Sequence, residues 1–219
     1  MGPVSISSRE LVMSINIPPS IPLARVAPSA PVDPLWRLSV DQYHAMIQKG
    51  ILTEDDPAEL LEGLLVYKMS KNPPHSVATG LIQDALARMV PTGWHVQIQD
   101  PVTTDDSEPE PDVKVVRGER RDYINRHPGP DDVALAVEVS EATLQRDRGL
   151  KKRVYARARI PIYWIVNLVE QKIEVYTDPS GPADEPDYRQ RQDYGRGDAI
   201  PVVIQGQVIG HLPVDQLLP

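Results

Sequence analysis

The chain has 219 residues, of which 25% are charged, with a formal net charge of −8 and no cysteine. This length suits one sizeable domain with tails, and the lack of cysteine excludes both a disulfide framework and a cysteine-zinc site. The acidic charge also counts against a nonspecific nucleic-acid binder, because such proteins are generally basic.

The sequence shows no membrane or export signal. No apolar run reaches the roughly 18 residues of a membrane span. The N-terminus lacks the basic start and apolar core of a signal peptide. We therefore expect a cytoplasmic protein that does not associate with a membrane.

The first feature in chain order is a proline-rich arm. Residues 1–34 contain seven prolines and no aromatic residue, so they can bury little surface and are predicted to be disordered or loosely packed. A single domain is expected over residues 35–219, with its folded part starting near Trp36. Ser39 is typical of a helix N-cap and predicts a short helix that ends near Gly50.

The remaining elements follow from hydrophobic periodicity and turn residues. In chain order they are a strand pair or bent strand at 60–69, a helix at 75–89, strands at 94–102, 113–117 and 134–140, a helix at 146–159, paired strands at 162–168 and 172–177, a loop within 178–198, and one or two strands at 201–212. This order predicts the α/β (α+β) class, with a central mixed β-sheet flanked by helices.

Two acids stand out against their surroundings. Glu138 lies inside the apolar run 133–139, and Asp112 opens the valine-rich run 113–116 after a Pro-Glu-Pro sequence. A carboxylate buried in such a strand needs a proton, a cation or several hydrogen bonds. Two acids on neighbouring strands could share one metal ion, and this pairing is the best functional clue in the chain.

The predicted helix at 146–159 is strongly basic, with seven lysines or arginines and one acid. Leu150, Val154 and Ala158 recur at helical spacing and mark the side that faces the core. Five basic residues fall outside that arc and are predicted to face solvent or a partner: Arg146, Arg148, Lys152, Arg153 and Arg157.

Asp147 and Lys151 fall within the core-facing arc of this helix, at about 100° per residue. In one interpretation they form an i,i+4 salt bridge at the edge of the core, which contributes only about 0.3–0.5 kcal/mol. In the other, Lys151 reaches the carboxylates of Asp112 and Glu138. The neighbouring motifs favour the second interpretation.

Motifs that carry acids, a lysine and a tyrosine follow one another in a fixed order. They are Ser-Glu-Pro-Glu-Pro-Asp at 107–112, Val-Glu-Val-Ser at 137–140, Thr143, Asp-Arg-Gly at 147–149, Lys151, Tyr155, and the stretch 156–166. With this order the chain resembles the Uma-two family of restriction endonucleases, a branch of the PD-(D/E)XK nuclease superfamily, over roughly residues 36–178 and the C-terminal strands. Residues 59–63 and His75 also resemble the N-terminal signature of the family.

The resemblance implies a restriction-endonuclease-like core and a metal-dependent endonuclease that hydrolyses DNA phosphodiester bonds. Asp112 and Glu138 match its metal-binding and catalytic carboxylates. The superfamily pattern Glu-x-Lys would place a lysine where this chain has Ser140. In this branch the basic residue lies on the following helix, and Lys151 matches it as the third catalytic residue. Further residues are candidates for supporting roles: Glu62, His75, Glu110, Ser140, Asp147 and Tyr155.

These residue types suit phosphodiester hydrolysis. The reaction needs a cation to offset phosphate charge, an activated water and help for the leaving oxygen. Carboxylate oxygens are hard ligands that suit Mg²⁺ or Mn²⁺, and a lysine can orient the water or stabilise the pentavalent phosphate. DNA is the expected partner, and double-strand cleavage would suit a symmetric homodimer.

Two other interpretations stay open on the sequence alone. One is a nuclease-fold module without activity that binds nucleic acid or protein, and the net charge of −8 and the serine at position 140 favour it. The other is a glycosidase-like pair of carboxylates. Sugar sites usually present stacking aromatic side chains, and this chain has no phenylalanine and three tryptophans. A metal-binding titration would separate a nuclease from a glycosidase.

Overall fold

A computed structural model describes residues 35–53 and 55–219. The predicted arm over residues 1–34 lies outside the described residues, so its disorder stays a prediction. Residues Trp36–Pro219 form one compact unit. In the described part of the chain, no helix combines the length and apolar character that crossing a membrane requires.

Strands and helices alternate largely as the sequence predicts. In chain order the elements are α1 (Val40–Gln48), β1 (Ala58–Leu61), β2 (Leu64–Tyr67), α2 (Pro73–Ala87), β3 (Trp94–Gln97), β4 (Val113–Arg117), β5 (Val133–Ser140), α3 (Leu144–Arg146), a π segment (Asp147–Lys151), α4 (Lys152–Arg157), β6 (Ile162–Asn167), β7 (Lys172–Pro179), β8 (Tyr188–Gly195), β9 (Ala199–Ile204) and β10 (Gln207–Pro213).

A six-stranded sheet forms the centre of the fold, with strand order β3-β4-β5-β6-β7-β8. Neighbouring strands are antiparallel except β5 and β6, which run parallel. Parallel neighbours need a crossover connection, and the helical stretch from α3 to α4 supplies it. Two hairpins, β1–β2 and β9–β10, lie outside this sheet. The predicted class, a mixed sheet flanked by helices, is therefore confirmed.

The two faces of the central sheet have different coverings, because side chains alternate along each strand. On one face, Val113 and Val137 belong to a core that includes residues of α2, β9 and β10. On the other face, Tyr163 of β6 and Tyr176 of β7 pack with Tyr155 of α4. Polar residues that alternate with the valines of β4 and β5 therefore point toward the tyrosine side.

The predicted cap of the first helix is present. The hydroxyl of Ser39 accepts a hydrogen bond from the backbone nitrogen of Gln42 at 3.1 Å, and the Gln42 side chain accepts one from the Ser39 nitrogen at 2.9 Å. This reciprocal capping box satisfies two backbone donors that the helix itself leaves unpaired. It explains why α1 begins at Val40.

Two strands differ from the prediction. β3 ends at Gln97 and not near residue 102, because Gln99 adopts a left-handed backbone with φ of 54° and leaves the sheet. β8 lies inside 178–198, where the sequence predicts a loop and no strand. Its run from Arg189 to Asp193 is polar and exposed because β8 is an edge strand, so it lacks the apolar alternation that identifies a strand.

Candidate active site

Asp112 and Glu138 lie side by side where β4 begins and β5 ends. Asp112 directly precedes β4, and Val113 pairs with Val137, so the register sets Asp112 beside Glu138. Asp112 Oδ2 accepts a hydrogen bond from the backbone nitrogen of Val139 at 2.9 Å. Asp112 is 6% exposed and Glu138 is 5% exposed. Both residues line one polar cleft of about 100 Å³.

Glu138 is held by two donors from the helical stretch above it. Its Oε1 accepts hydrogen bonds from Lys151 Nζ at 2.9 Å and from the hydroxyl of Tyr155 at 2.7 Å. Burial raises the pKa of the Glu138 carboxyl to about 8, against the opposing influence of the Lys151 ammonium, and nearby acids add to the rise. A cation beside this carboxyl would favour its charged form.

Lys151 lies between two carboxylates. Its Nζ is 2.9 Å from Glu138 Oε1 and 3.0 Å from Glu59 Oε2, and the residue is 3% exposed. Burial opposes the ammonium charge, but the charges of these acids outweigh it and raise the pKa of Lys151. Within the described residues Lys151 forms no ion pair with Asp147. The geometry thus matches the interpretation in which the lysine reaches Glu138.

The helix predicted at 146–159 contains a π segment at this point. α3, the π segment and α4 follow one another without a break, and the backbone nitrogen of Lys152 donates to the oxygen of Asp147, five residues earlier. Such π turns occur frequently at functional sites. Two hydrogen bonds fix the segment. Ser140 Oγ donates to Asp147 Oδ2 at 2.7 Å, and the hydroxyl of Tyr163 donates to the backbone carbonyl oxygen of Asp147 at 3.1 Å.

His75 and Glu110 also line the cleft. His75 lies in the first turn of α2, and its Nε2 is 3.0 Å from Asp112 Oδ2. Glu110 pairs with Lys68, whose Nζ is 2.9 Å from Glu110 Oε1. Both residues are therefore close enough to the paired acids to take part in a supporting role.

Glu62 lies elsewhere. It forms ion pairs with Arg153 at 2.6 Å and Arg157 at 3.0 Å, and it is not among the residues that line the cleft. Its arginine partners lower its pKa, chiefly through the hydrogen bonds from Arg153. Of the candidate supporting residues, Glu62 is thus the one that the structure separates from the acids.

Glu59 is a cleft residue that the site prediction omitted. It lies on β1, is 1% exposed, and has an Oε1 atom without a hydrogen-bond partner among the described residues. Its Oε2 accepts a bond from the backbone nitrogen of Glu110 at 3.2 Å. A lone acid beside Leu60 and Leu61 is the same signal that identified Glu138. The sequence places this strand only from Leu60 onward, so Glu59 falls outside it.

The cleft holds more acids than bases. Its buried acids are Glu59, Asp112, Glu138 and Asp147. Lys151 is the buried base among them, and His75 lies beside Asp112. Such an excess of buried negative charge needs protons or a cation.

The residues of the cleft fit a magnesium-like ion. Asp112 Oδ1 and Glu138 Oε2 accept no hydrogen bond from the part of the chain that the structure describes. No three or more His, Asp or Glu side chains within that part are arranged to hold an ion together. Mg²⁺ commonly takes only one or two carboxylates and completes its shell with water and phosphate oxygens. Two adjacent carboxylates therefore suffice.

The basic residues outside the core-facing arc are engaged within the chain. Acids of the same chain pair with Arg148, Lys152, Arg153 and Arg157, and Arg146 lies 3.8 Å from Asp147. All five are half-buried, and Arg148 reaches the buried carboxylate of Glu174, so the prediction that they face solvent or a partner is wrong in this respect. Their charges are largely neutralised within the chain. Besides Lys151, the cations that line the cleft are Lys68, Lys71 and Arg146.

Comparisons with known proteins agree with this architecture. The family model described as "Uma2: Putative restriction endonuclease" matches residues 40–212. The fold is similar to the crystal structure of a protein described as a putative nuclease belonging to DUF820 from Anabaena variabilis, with 17% identity and a TM-score of 0.59. That match covers 82% of this chain and 97% of the other chain. A comparison with curated proteins found no match.

Proposed function

Because the chain belongs to the Uma2 (Uma-two) family of restriction-endonuclease-like proteins, we propose that it is a Mg²⁺-dependent endonuclease that hydrolyses DNA phosphodiester bonds. The observation that carries this proposal is the placement of Asp112, Glu138 and Lys151 in one cleft. Two carboxylates on adjacent strands and a buried ammonium are the parts that such a reaction needs.

Asp112 and Glu138 would hold the metal ion, Mg²⁺ or Mn²⁺. When bound, the ion offsets charge on the phosphate and makes a water molecule more acidic. The hydrogen bond from the Val139 nitrogen fixes one oxygen of Asp112 at 2.9 Å and leaves the other available. The hydroxyl of Tyr155 likewise donates only to Oε1 of Glu138 and leaves Oε2 available.

Lys151 would contribute its charge to the reacting phosphate. Its ammonium is buried and positively charged, so it can donate hydrogen bonds to oxygens on which negative charge develops. A preorganised donor in a water-poor cleft is more effective than one in bulk water. Ser140, at the position where the superfamily pattern has lysine, would instead hold Asp147 and thereby the π segment that carries Lys151.

A nuclease-fold module without activity is the competing function, because position 140 lacks the lysine of the superfamily pattern. Membership in a nuclease family removes the support for a glycosidase. The inactive module and the enzyme differ in one measurable respect. Only the enzyme cleaves DNA when a divalent ion is present.

Nicking of supercoiled plasmid by the purified protein tests the proposal. We expect nicking with Mg²⁺ or Mn²⁺, none with a chelator, and none by Glu138→Ala. Glu62→Ala is the control, because it removes a partly buried acid that lies outside the cleft. Equal nicking by Glu138→Ala would refute the assignment. Binding of DNA without nicking under all metal conditions would establish the inactive module.

The oligomeric state bears on the type of cut. A homodimer would place two clefts on opposite strands of a duplex, and we propose this assembly for double-strand cleavage. Sedimentation of the protein with and without duplex DNA measures it. A monomer that only nicks would contradict it.

A further inference from the structure

Glu59 reaches the cleft from outside the six-stranded sheet. It lies on β1, whereas Asp112 and Glu138 belong to the β4–β5 pair. The β1–β2 hairpin is fixed to the segment that leads into β4 by two backbone bonds. Glu108 N donates to Leu60 O at 2.7 Å, and Gly63 N donates to Asp106 O at 2.9 Å. The carboxylate of Glu59 therefore has a defined position in the cleft.

The contacts of Glu59 point to Lys151. Glu59 Oε2 is 3.0 Å from Lys151 Nζ, which is also 2.9 Å from Glu138 Oε1. If Glu138 binds a metal ion through Oε2, the ion draws negative charge away from Oε1, which then becomes a weaker acceptor for Lys151. Glu59 is then the carboxylate that keeps the ammonium in the cleft.

The alternative to contact with Lys151 is that Glu59 binds the metal ion directly. Its Oε1 lacks a partner among the described residues, so this atom is free to accept a ligand bond. However, within those residues no three acidic or histidine side chains are arranged around one point. The geometry thus favours contact with the lysine over contact with the ion.

We propose that Glu59 is a positioning residue that anchors Lys151 while Glu138 binds the metal ion, an inference that rests on the proposed endonuclease function. Without Glu59, Lys151 has Glu138 as its remaining carboxylate contact and competes with the ion for it. Loss of Glu59 therefore lowers both cleavage and metal affinity. Both effects act through Lys151, so they disappear when the ammonium is absent.

A double-mutant cycle on metal binding isolates this coupling. Mg²⁺ binding is titrated by calorimetry to the wild type, Glu59→Gln, Lys151→Met and the double variant. We expect weaker binding by Glu59→Gln and tighter binding by Lys151→Met. The double variant should bind as Lys151→Met does, within about threefold, since a double-mutant cycle reports only the shared interaction.

Cleavage under single-turnover conditions supplies the second measurement. At saturating Mg²⁺, Glu59→Gln should cleave roughly 10–100-fold more slowly, with an unchanged half-saturating DNA concentration. Glu59→Asp, which keeps the charge, should recover part of the rate. Glu62→Gln, from the same hairpin, should cleave at the wild-type rate because it lies outside the cleft.

Three outcomes would overturn the inference or its premise. If Glu59→Gln weakens Mg²⁺ binding as strongly in the Lys151→Met background as in the wild type, Glu59 is a direct ligand. If Glu59→Gln binds Mg²⁺ and cleaves like the wild type, it has no role in the site. A wild-type protein that never cleaves would refute the proposed function, whereas the binding cycle would still decide between the two roles of Glu59.

Discussion

Replacing Lys151 with methionine tests the cleft directly, because methionine keeps an apolar stem of similar length and removes the ammonium. That ammonium lies 2.9 Å from Glu138 and 3.0 Å from Glu59 in a residue that is 3% exposed. Removing one partner of a buried ion pair typically costs about 3–5 kcal/mol. In a domain of this size the melting temperature should fall by about 6–20 °C.

Lys152→Met is the matched control for this experiment. Lys152 follows Lys151 in the chain, but its Nζ pairs with Asp187, an exposed acid, at 2.8 Å. Exposed pairs contribute up to about 1 kcal/mol. Urea denaturation of the two variants without Mg²⁺ should therefore separate them by at least about 2 kcal/mol. Plasmid nicking should be lost in Lys151→Met and retained in Lys152→Met.

Two results would refute this reasoning. Lys151→Met with a free energy of unfolding equal to that of Lys152→Met would show that the ammonium is not part of a buried charge cluster. Lys151→Met with the wild-type rate of nicking would show that another residue supplies the positive charge of the site. In calorimetry, Lys151→Met should also bind Mg²⁺ more tightly, because a nearby positive charge opposes a cation.

Three further predictions concern Asp112, Glu174 and the N-terminal arm. Asp112→Asn should fold, since its amide oxygen can still accept from Val139, but bind Mg²⁺ at least about tenfold more weakly in calorimetry; unchanged affinity would exclude Asp112 as a ligand. Burial opposes the charge of Glu174, but hydrogen bonds from Arg148 outweigh burial and lower the pKa of Glu174. The carboxylate therefore stabilises the fold at pH values above its pKa in the unfolded chain. This stabilisation is lost as the pH falls through the pKa in the folded protein. Glu174→Gln should therefore be less stable at neutral pH by thermal unfolding, and the deficit should shrink on acidification; a constant deficit contradicts this. Deleting residues 1–34 should change the melting temperature by no more than a few degrees, and a larger fall would show that the arm packs on the domain.

Local patterns predicted the central part of the site. Glu138 is an acid inside an apolar strand and identifies itself by its immediate neighbours. Lys151 lies on the apolar arc of a helix, but its assignment to Glu138 depends on the neighbouring motifs that resemble the family. The register that sets Asp112 beside Glu138 follows from two valine-rich strands that pair in the sheet. Each acid is marked within its own short stretch of sequence, and for that reason the two acids could be inferred without a structure.

Contacts between distant parts of the chain could not be predicted in the same way. Glu59 joins Lys151 because a separate hairpin docks beside β4, and no local pattern specifies that docking. The partners of the basic helix, such as Glu62 for Arg153, are also distant in sequence. A helical wheel therefore gives the direction in which an arginine points but not whether its charge is already compensated.

The π segment makes the site sensitive to chain length as well as to residue identity. The bond from Lys152 N to Asp147 O spans five residues, one more than an α-helical turn accommodates. Removing a single residue such as Gly149 would allow an ordinary helix, yet it would rotate Lys151 by about 100° relative to the preceding turn. Alignments of related chains should therefore keep the spacing between Ser140 and Tyr155 free of insertions and deletions wherever cleavage is retained. Relatives in which that spacing changes are candidates for proteins that kept the sheet and lost the reaction.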